Sequence, residues 1–374
     1  MTLNADKTGR LIQLDSLRAF AVFAVFVTHS ELRSLQVLPW GVLGVDLFFV
    51  LSGFVITRLL LNARFDSMAI GTVPAVFQFY ARRLLRILAP YYVAILIFAL
   101  LGNPHIRTGL LWHLTYTSNF FFAIRSQLDL LGAHFWTLAV EEQFYIFWPW
   151  VVLALPLRWM KFVFAACVAA ALGYRLWVAG HDGGLAAVVM LFANIDKFAI
   201  GGFIALDWFA RSSTLDRLFR DRRWIVPIGL IAAGAAGFLP QVWQPIAPLV
   251  RATGFGCLIH AAGRGLKGGI GRILESKALR YLGTTSYGLY VYHPFCAWLV
   301  AGAFRRLASS SEAHPYAHFT LFSILSILIA SVSWFMMERP LNRLKDRFDF
   351  RAAPSPLPVI LAESASIGGG RQTS

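Results

Sequence analysis

Ten stretches of about 20 mostly apolar residues dominate this chain, near 14–33, 41–61, 84–103, 134–155, 160–179, 186–206, 224–240, 246–263, 283–304 and 318–337. A bilayer core about 30 Å thick is crossed by roughly 20 residues of α-helix at about 1.5 Å per residue. In hydrocarbon every backbone polar group must be satisfied within the segment, which at this length selects helices. The expected fold class is therefore all-α, a polytopic membrane protein with about ten transmembrane helices. Composition excludes a soluble domain as the main body: of 374 residues, 57% are hydrophobic and 14% charged, with a mean hydropathy of +0.62, against about 25% charged in soluble proteins.

The net charge of +15 sits in short clusters between the apolar runs. Lys7 and Arg10 precede the first; Arg58, Arg64, Arg82, Arg83 and Arg86 follow the second; Arg158 and Lys161 follow the fourth. Arg211, Arg217, Arg220, Arg222 and Arg223 follow the sixth, Arg264, Lys267, Arg272, Lys277 and Arg280 the eighth, and Arg339, Arg343, Lys345, Arg347 and Arg351 the tenth. The alternate connections are poor in Lys and Arg apart from Arg305 and Arg306. This is the positive-inside pattern of cytoplasmic loops, so both termini are expected in the cytoplasm and nucleic acid is not an expected partner.

Three regions follow: a cytoplasmic N-terminal segment at 1–13, a membrane domain at 14–340 and a basic tail at 341–374. From Ala352 the tail is rich in Pro, Ser and Gly, a composition expected to be disordered. The first apolar run follows thirteen mostly polar residues and shows no cleavage site, so it is expected to be retained. The long connection 103–133 contains an apolar piece, Gly109 to Ile124, too short to span and expected to be re-entrant or interfacial. Cys167, Cys257 and Cys296 each lie inside an apolar run without metal-ligand spacing, which predicts buried apolar thiols and no metal site.

The first two runs form a hairpin around Pro39 that carries ionisable groups where a purely structural span avoids them. Arg18 and His29 are eleven residues apart, three helical turns, and so share a face about 16 Å apart. Asp46 follows the turn by about as many residues as His29 precedes it, which predicts similar depth. In the fourth run, HFWTLAVEEQFYIFWPW, Glu141 and Glu142 lie about two turns in, and Glu141 shares a face with Tyr145 and Trp148. His29, Asp46 and Glu141 are thus expected to meet in one outer cavity. Intramembrane charges cost roughly 2.5 kcal/mol or more each and mark functional sites by default.

Toward the inner side, FYARRLLRILAPYY places Arg83 and Arg86 one turn apart on one face, where forked guanidinium groups suit phosphate. The ninth run opens with TSYGLYVYHP, in which Ser286, Tyr290 and His293 share a face. Each group has a plainer reading: clustered Arg as a topology signal, Asp15 as an N-cap, His293-Pro294 as a kink, Gly201-Gly202 as packing. Polarity alone leaves an enzyme, a proton-coupled secondary transporter of a small metabolite with His29, Asp46 and Glu141 as relay, or a flippase-like component without chemistry.

LDSLRAFAVFAVFVTHS, GVDLFFVLSGFVIT, FYARRLLRILAPYY, HFWTLAVEEQFYIFWPW, TSYGLYVYHP and the ERP at Glu338 to Pro340 occur in this order over residues 14–340. Together they resemble the membrane acyltransferase 3 family, which includes O-antigen, exopolysaccharide and Nod-factor O-acetyltransferases and macrolide acyltransferases. The resemblance implies an enzyme of the bacterial inner membrane that carries an acyl group, usually acetyl, from cytoplasmic acyl-CoA to a hydroxyl of a glycan. Acetyl-CoA is then a donor substrate and no cofactor is bound. Arg18 and His29 match the family's paired first-helix residues, Arg83 and Arg86 its Arg-x-x-Arg, while Asp46 and Glu141 fall in matching elements; Ser16 replaces a frequent Gly. Some members carry a soluble esterase-like domain, and the expectation here is that the membrane part holds all the chemistry. On this reading His29 is a general base, oriented by Asp46 or Glu141, Arg18 guides the donor or stabilises its oxyanion, and Arg83 and Arg86 hold its phosphates. Glu142, Ser286, Tyr290 and His293 complete the expected substrate-binding set.

Overall fold

The computed structural model describes residues 11–344 except 31, 33–34, 129–130, 182, 211–214, 216–221 and 307–313. The segment 1–10, most of the basic tail and the loop arginines Arg211, Arg217 and Arg220 lie outside the described residues. Among those described, every regular element is helical.

Each apolar run corresponds to a helix: α1 Ile12–Thr28, α2 Trp40–Ile70, α3 Thr72–Leu100, α4 Phe135–Ala154, α5 Leu157–Ala179, α6 Leu191–Phe209, α7 Arg222–Ala235, α8 Ala247–Arg264, α9 Ser286–Arg306 and α10 Pro315–Ser333. Five segments are long and apolar enough to cross a membrane: Trp40–Arg64, Thr72–Leu100, Leu157–Ala179, Ala186–Phe209 and Pro315–Arg343. The remaining helices are shorter, as α1 with 17 residues and α7 with 14, or carry buried polar side chains such as Thr137, Arg251 and His293. α2 and α3 run beyond the predicted windows, because the arginines that ended those windows continue the helices. Arg64 shows why: its Nη1 donates to the Val152 and Leu155 carbonyls at 2.6 and 2.7 Å, satisfying the open end of α4.

The connection 103–133 folds into three short helices, Pro104–Thr108, Leu110–Leu114 and Ser118–Arg125. Tyr116, in the left-handed region at φ 54°, breaks the apolar piece before it can become a span. It is tied to α3 by the Tyr91 and Tyr92 hydroxyls, which donate to the His113 and Leu114 carbonyls at 2.7 and 2.9 Å. Asp15, expected as an N-cap, instead lies within the first turn of α1, which Leu11 begins without a side-chain cap. The start of α1 is stitched to the segment before α9. Gln13 bonds Leu266 through both amide groups, its Nε2 donating to the Leu266 carbonyl and its Oε1 accepting from the Leu266 N–H, and Ser16 donates to the Leu274 carbonyl.

α2 packs most extensively on α6, and glycine sets the spacing. A Cβ at position 53 would lie 2.1 Å from the Phe198 carbonyl oxygen, and one at position 201 would lie 2.1 Å from that of Val50. The two backbones touch here, as small residues allow in membrane bundles. Beside this contact Asp46 of α2, only 1% exposed, pairs with Lys197 of α6 and with Arg251 of α8, whose Nε lies 2.6 Å from Asp46 Oδ2. Lys197 also donates to Asn194 Oδ1 at 2.6 Å. One carboxylate thus joins three helices. A second buried pair, Arg175–Asp196 at 2.8 Å, joins α5 to α6.

Two stability outcomes follow from this geometry. Gly53→Ala forces α2 and α6 apart and should cost about 1–3 kcal/mol, read as a lower unfolding temperature in detergent. Asp46→Asn leaves two buried cations facing one another and should cost about 3–5 kcal/mol. The triple variant Asp46→Leu, Lys197→Met, Arg251→Leu should recover monodisperse protein on size exclusion, since it removes the unpaired charges.

Candidate functional site

Four helices, α1, α2, α3 and α4, close around the first turns of α9 to leave a cavity. Its polar lining is Arg18 from α1, Ser52 from α2, Arg83 and Arg86 from α3, Thr137, Glu141 and Tyr145 from α4, and Ser286, Tyr287 and Tyr290 from α9. Phe48, Phe49 and Ile87 supply apolar wall. Helical periodicity explains the convergence: 83 and 86, 137, 141 and 145, and 286 and 290 are spaced three or four apart and face one way.

The cavity's charges are arranged as a cationic set around one carboxylate. Arg83 lies with its Cζ 3.8 Å over the centre of the Tyr145 ring, and its Nε is buried without a hydrogen-bond partner. Glu141 is within electrostatic range of Arg83, Arg86 and Arg18 and lines the cavity with Ser52, whose hydroxyl meets that of Tyr145. Arg18 is held by Asp15 at 2.6 Å. Three guanidinium groups against the Glu141 carboxylate leave the cavity suited to an anionic ligand. Glu338 adds a charge from behind: it is 1% exposed on a π-helical turn at Trp334–Glu338 and within electrostatic range of Arg86. Glu142 points to the other side of α4, toward Tyr91, Tyr92 and Tyr116, while remaining in range of Arg83.

Beyond Tyr290 lies a group of three histidines. Tyr290 bonds Thr137 at 2.7 Å, and its ring centre is 5.6 Å from His293 and 5.8 Å from His134. His293 in turn lies 4.8 Å from the His29 ring and 5.4 Å from that of His134. Each ring has one nitrogen at a backbone carbonyl: His29 Nδ1 at Val25 (3.0 Å), His293 Nδ1 at Tyr290 (2.6 Å) and His134 Nε2 at Val291 (3.1 Å). A carbonyl only accepts, so each of these nitrogens carries the proton and the opposite nitrogen keeps its lone pair.

The structure therefore brings together Arg18, Arg83, Arg86, Glu141, Ser286 and Tyr290 from the expected set. It sets His29 and His293 just beyond the cavity wall and Glu142 to one side. Asp46 does not join His29; its carboxylate is engaged by Lys197 and Arg251, two cations from distant helices that no local spacing connects to it. Thr137, Tyr287 and His134 enter the site without having been singled out, although the i−4 spacing from Glu141 to Thr137 was available as a signal. Glu338 was legible only as part of ERP.

The sequence model of the family described as "Acyltransferase domain" matches residues 11–336. OatA of Listeria monocytogenes, named a peptidoglycan O-acetyltransferase, is 28% identical over 319 residues, 75% of this chain and 48% of its own. YrhL of Bacillus subtilis, provisionally named a peptidoglycan O-acetyltransferase, is 25% identical over 364 residues, 88% of this chain and 54% of its own. SACOL0978 of Staphylococcus aureus, provisionally named an O-acetyltransferase, is 26% identical over 360 residues, 88% of this chain and 57% of its own. The chain thus spans about half the length of these relatives. No solved structure matches. With the match covering both the arginine-lined cavity and the histidine group, the chain belongs to the acyltransferase family.

Proposed function

We propose that this protein is a multi-pass O-acetyltransferase of the bacterial plasma membrane that esterifies a hydroxyl of an exported or cell-surface glycan, peptidoglycan being the acceptor named for its relatives. The observation that carries the reading is the pairing of a cavity lined by three arginines with imidazole lone pairs just beyond its Tyr290 wall, His29 closing the opposite end of α1 from Arg18. The charge pattern of the loops supports ten crossings with both termini in the cytoplasm, and on that topology Arg18, near the start of α1, lies on the cytoplasmic side of His29 at its end.

On this reading acetyl-CoA is the donor substrate. Its phosphates suit Arg83 and Arg86, with Arg18 further up the same wall, because guanidinium groups bind phosphate oxygens in pairs. The acyl arm follows the cavity toward Thr137 and Tyr290. His29 serves as general base: its Nδ1 proton is committed to the Val25 carbonyl, which leaves Nε2 to take the acceptor's proton. The acceptor oxygen then attacks the thioester carbonyl, the C–S bond breaks, and the proton held by His29 returns to the CoA sulfur. Glu141 keeps the arginines in register across the cavity. The pairing of Asp46 with Lys197 and Arg251 takes that carboxylate out of the relay a proton-coupled transporter would use.

Purified protein in nanodiscs, given radiolabelled acetyl-CoA and peptidoglycan fragments, should form labelled ester. Arg83→Ala or Arg86→Ala should raise the KM for acetyl-CoA about 10- to 100-fold, the loss of a charge-assisted hydrogen bond worth roughly 1.5–3 kcal/mol. An unchanged KM in both variants would remove the donor-site assignment. His29→Ala should lower kcat about 10²- to 10⁴-fold with folding intact on size exclusion; wild-type turnover in that variant would remove the base. Substrate flux across proteoliposomes without ester formation would overturn the enzymatic reading.

A further inference from the structure

A carboxylate buried in an apolar bundle is costly unless charge faces it, so each such group calls for an account of what it faces. Asp46 has Lys197 and Arg251, and Asp196 has Arg175. Glu338 is buried as fully as Asp46, at 1% exposure, yet it belongs to the ERP stretch beyond α10, to which the reaction above gives no role. The next residue of that stretch, Arg339, is exposed, with its guanidinium 5.7 Å from the centre of the Phe335 ring. Glu338 turns the other way, into the bundle.

The backbone achieves this by departing from the α-helix. Ala330 and Glu338 are eight residues apart, which at about 100° per residue leaves them roughly 80° out of line. The π turn Trp334–Glu338 takes in one extra residue, and the remaining seven steps bring the two onto nearly one face. Both accordingly meet Gly288 of α9: a Cβ there would lie 2.9 Å from Glu338 Oε1 and 3.5 Å from the Ala330 Cα. Ser333 donates to the same Oε1 at 3.1 Å. Tyr287, the residue before Gly288, lines the cavity, and its hydroxyl donates to the Ile87 carbonyl at 3.1 Å. Four residues beyond Gly288, the Tyr292 hydroxyl donates to the Pro90 carbonyl at 3.2 Å. These two bonds hold α9 against the stretch of α3 that begins at Arg86, and Arg86 lies within electrostatic range of the Glu338 carboxylate.

Resting on the acetyltransferase reading above, we propose that Glu338 is a positioning residue for Arg86: its carboxylate, admitted beside α9 by Gly288, holds the guanidinium from behind so that the opposite edge stays open to a donor phosphate. Arg86 shares the cavity with Arg83 and Arg18, whose like charges repel it, and with Glu141, whose carboxylate attracts it. Without an anchor behind it, the side chain would close on Glu141 and cancel the charge a phosphate needs. A guanidinium carries five N–H donors in a flat fork, so it can serve a carboxylate on one edge and a phosphate on another. Glu338 itself touches neither the donor nor the reacting atoms.

The test is a double-mutant cycle of Glu338→Gln with Arg86→Ala, read in the KM for acetyl-CoA. Glu338→Gln should raise that KM about tenfold while kcat stays within about twofold. In the Arg86→Ala background the same substitution should change the KM by less than about twofold, because the group it aims is gone. An unchanged or lowered KM in Glu338→Gln, or a tenfold loss that persists without Arg86, would overturn the proposal. Should Glu338→Gln fail to fold, Gly288→Ala pushes the carboxylate aside without removing it. It should raise the KM about two- to fivefold at wild-type kcat, and a wild-type KM there would overturn the proposal as well. Independently of turnover, the losses in unfolding temperature of Glu338→Gln and Arg86→Ala in detergent should fail to add in the double variant; strict additivity would show that the two groups are not coupled. If Arg86→Ala alone leaves the KM unchanged, the donor-site assignment falls by itself, and the unfolding temperatures decide whether Glu338 holds Arg86.

Discussion

Charge buried in an apolar bundle must find charge, and the pairing of Asp46 with Lys197 and Arg251 is where this chain meets that demand most fully. An isolated ion there would cost several kcal/mol, so the three groups are stable only together. Their helices are far apart in sequence, and the pairing brings α2, α6 and α8 to one point. Next to it, Gly53 and Gly201 let α2 and α6 touch backbone to backbone. The hairpin α1–α2 is thereby held against a rigid wall, and Arg18 and His29 of α1 take up their places relative to α3, α4 and α9.

The site built on this frame separates two kinds of chemistry. Arginines, which keep their charge in almost any surroundings, line the cavity within electrostatic range of Glu141. Histidines, which can be neutral, gather beyond Tyr290, each with a proton assigned to a backbone carbonyl. The proposed phosphate-bearing donor and hydroxyl acceptor call for two such environments, and a single carboxylate-rich pocket would serve neither well. Tyr290 stands between them, lining the cavity on one side and touching His293 on the other.

Much of this was legible in local pattern. The apolar runs located every long helix, because hydrophobic length and helical geometry are tied to the same bilayer dimension. The spacing of Arg83 with Arg86, and of Ser286 with Tyr290, named cavity residues because side chains three and four apart share a face. Where local pattern failed, the cause was a partner at long range. Asp46 was assigned to His29 by matching depths across a hairpin, and its actual partners lie 151 and 205 residues away. Asp15 had the residue type of a cap but lies inside the first turn, bound to Arg18.

Sequence by itself determined the all-helical class, the positions of the ten helices that follow the apolar runs, the family and the faces that carry arginine, glutamate, tyrosine and histidine. These follow from hydrophobic length, helical period and ordered motifs, all properties of neighbouring residues. Tertiary structure alone decided which charges neutralise one another, which glycines are contact points, and that His29 faces imidazoles in place of a carboxylate. Those outcomes depend on how helices from remote parts of the chain cross, and the energy that selects the crossing, the cost of leaving buried charge and buried lone pairs unmatched, is a property of the assembled interior.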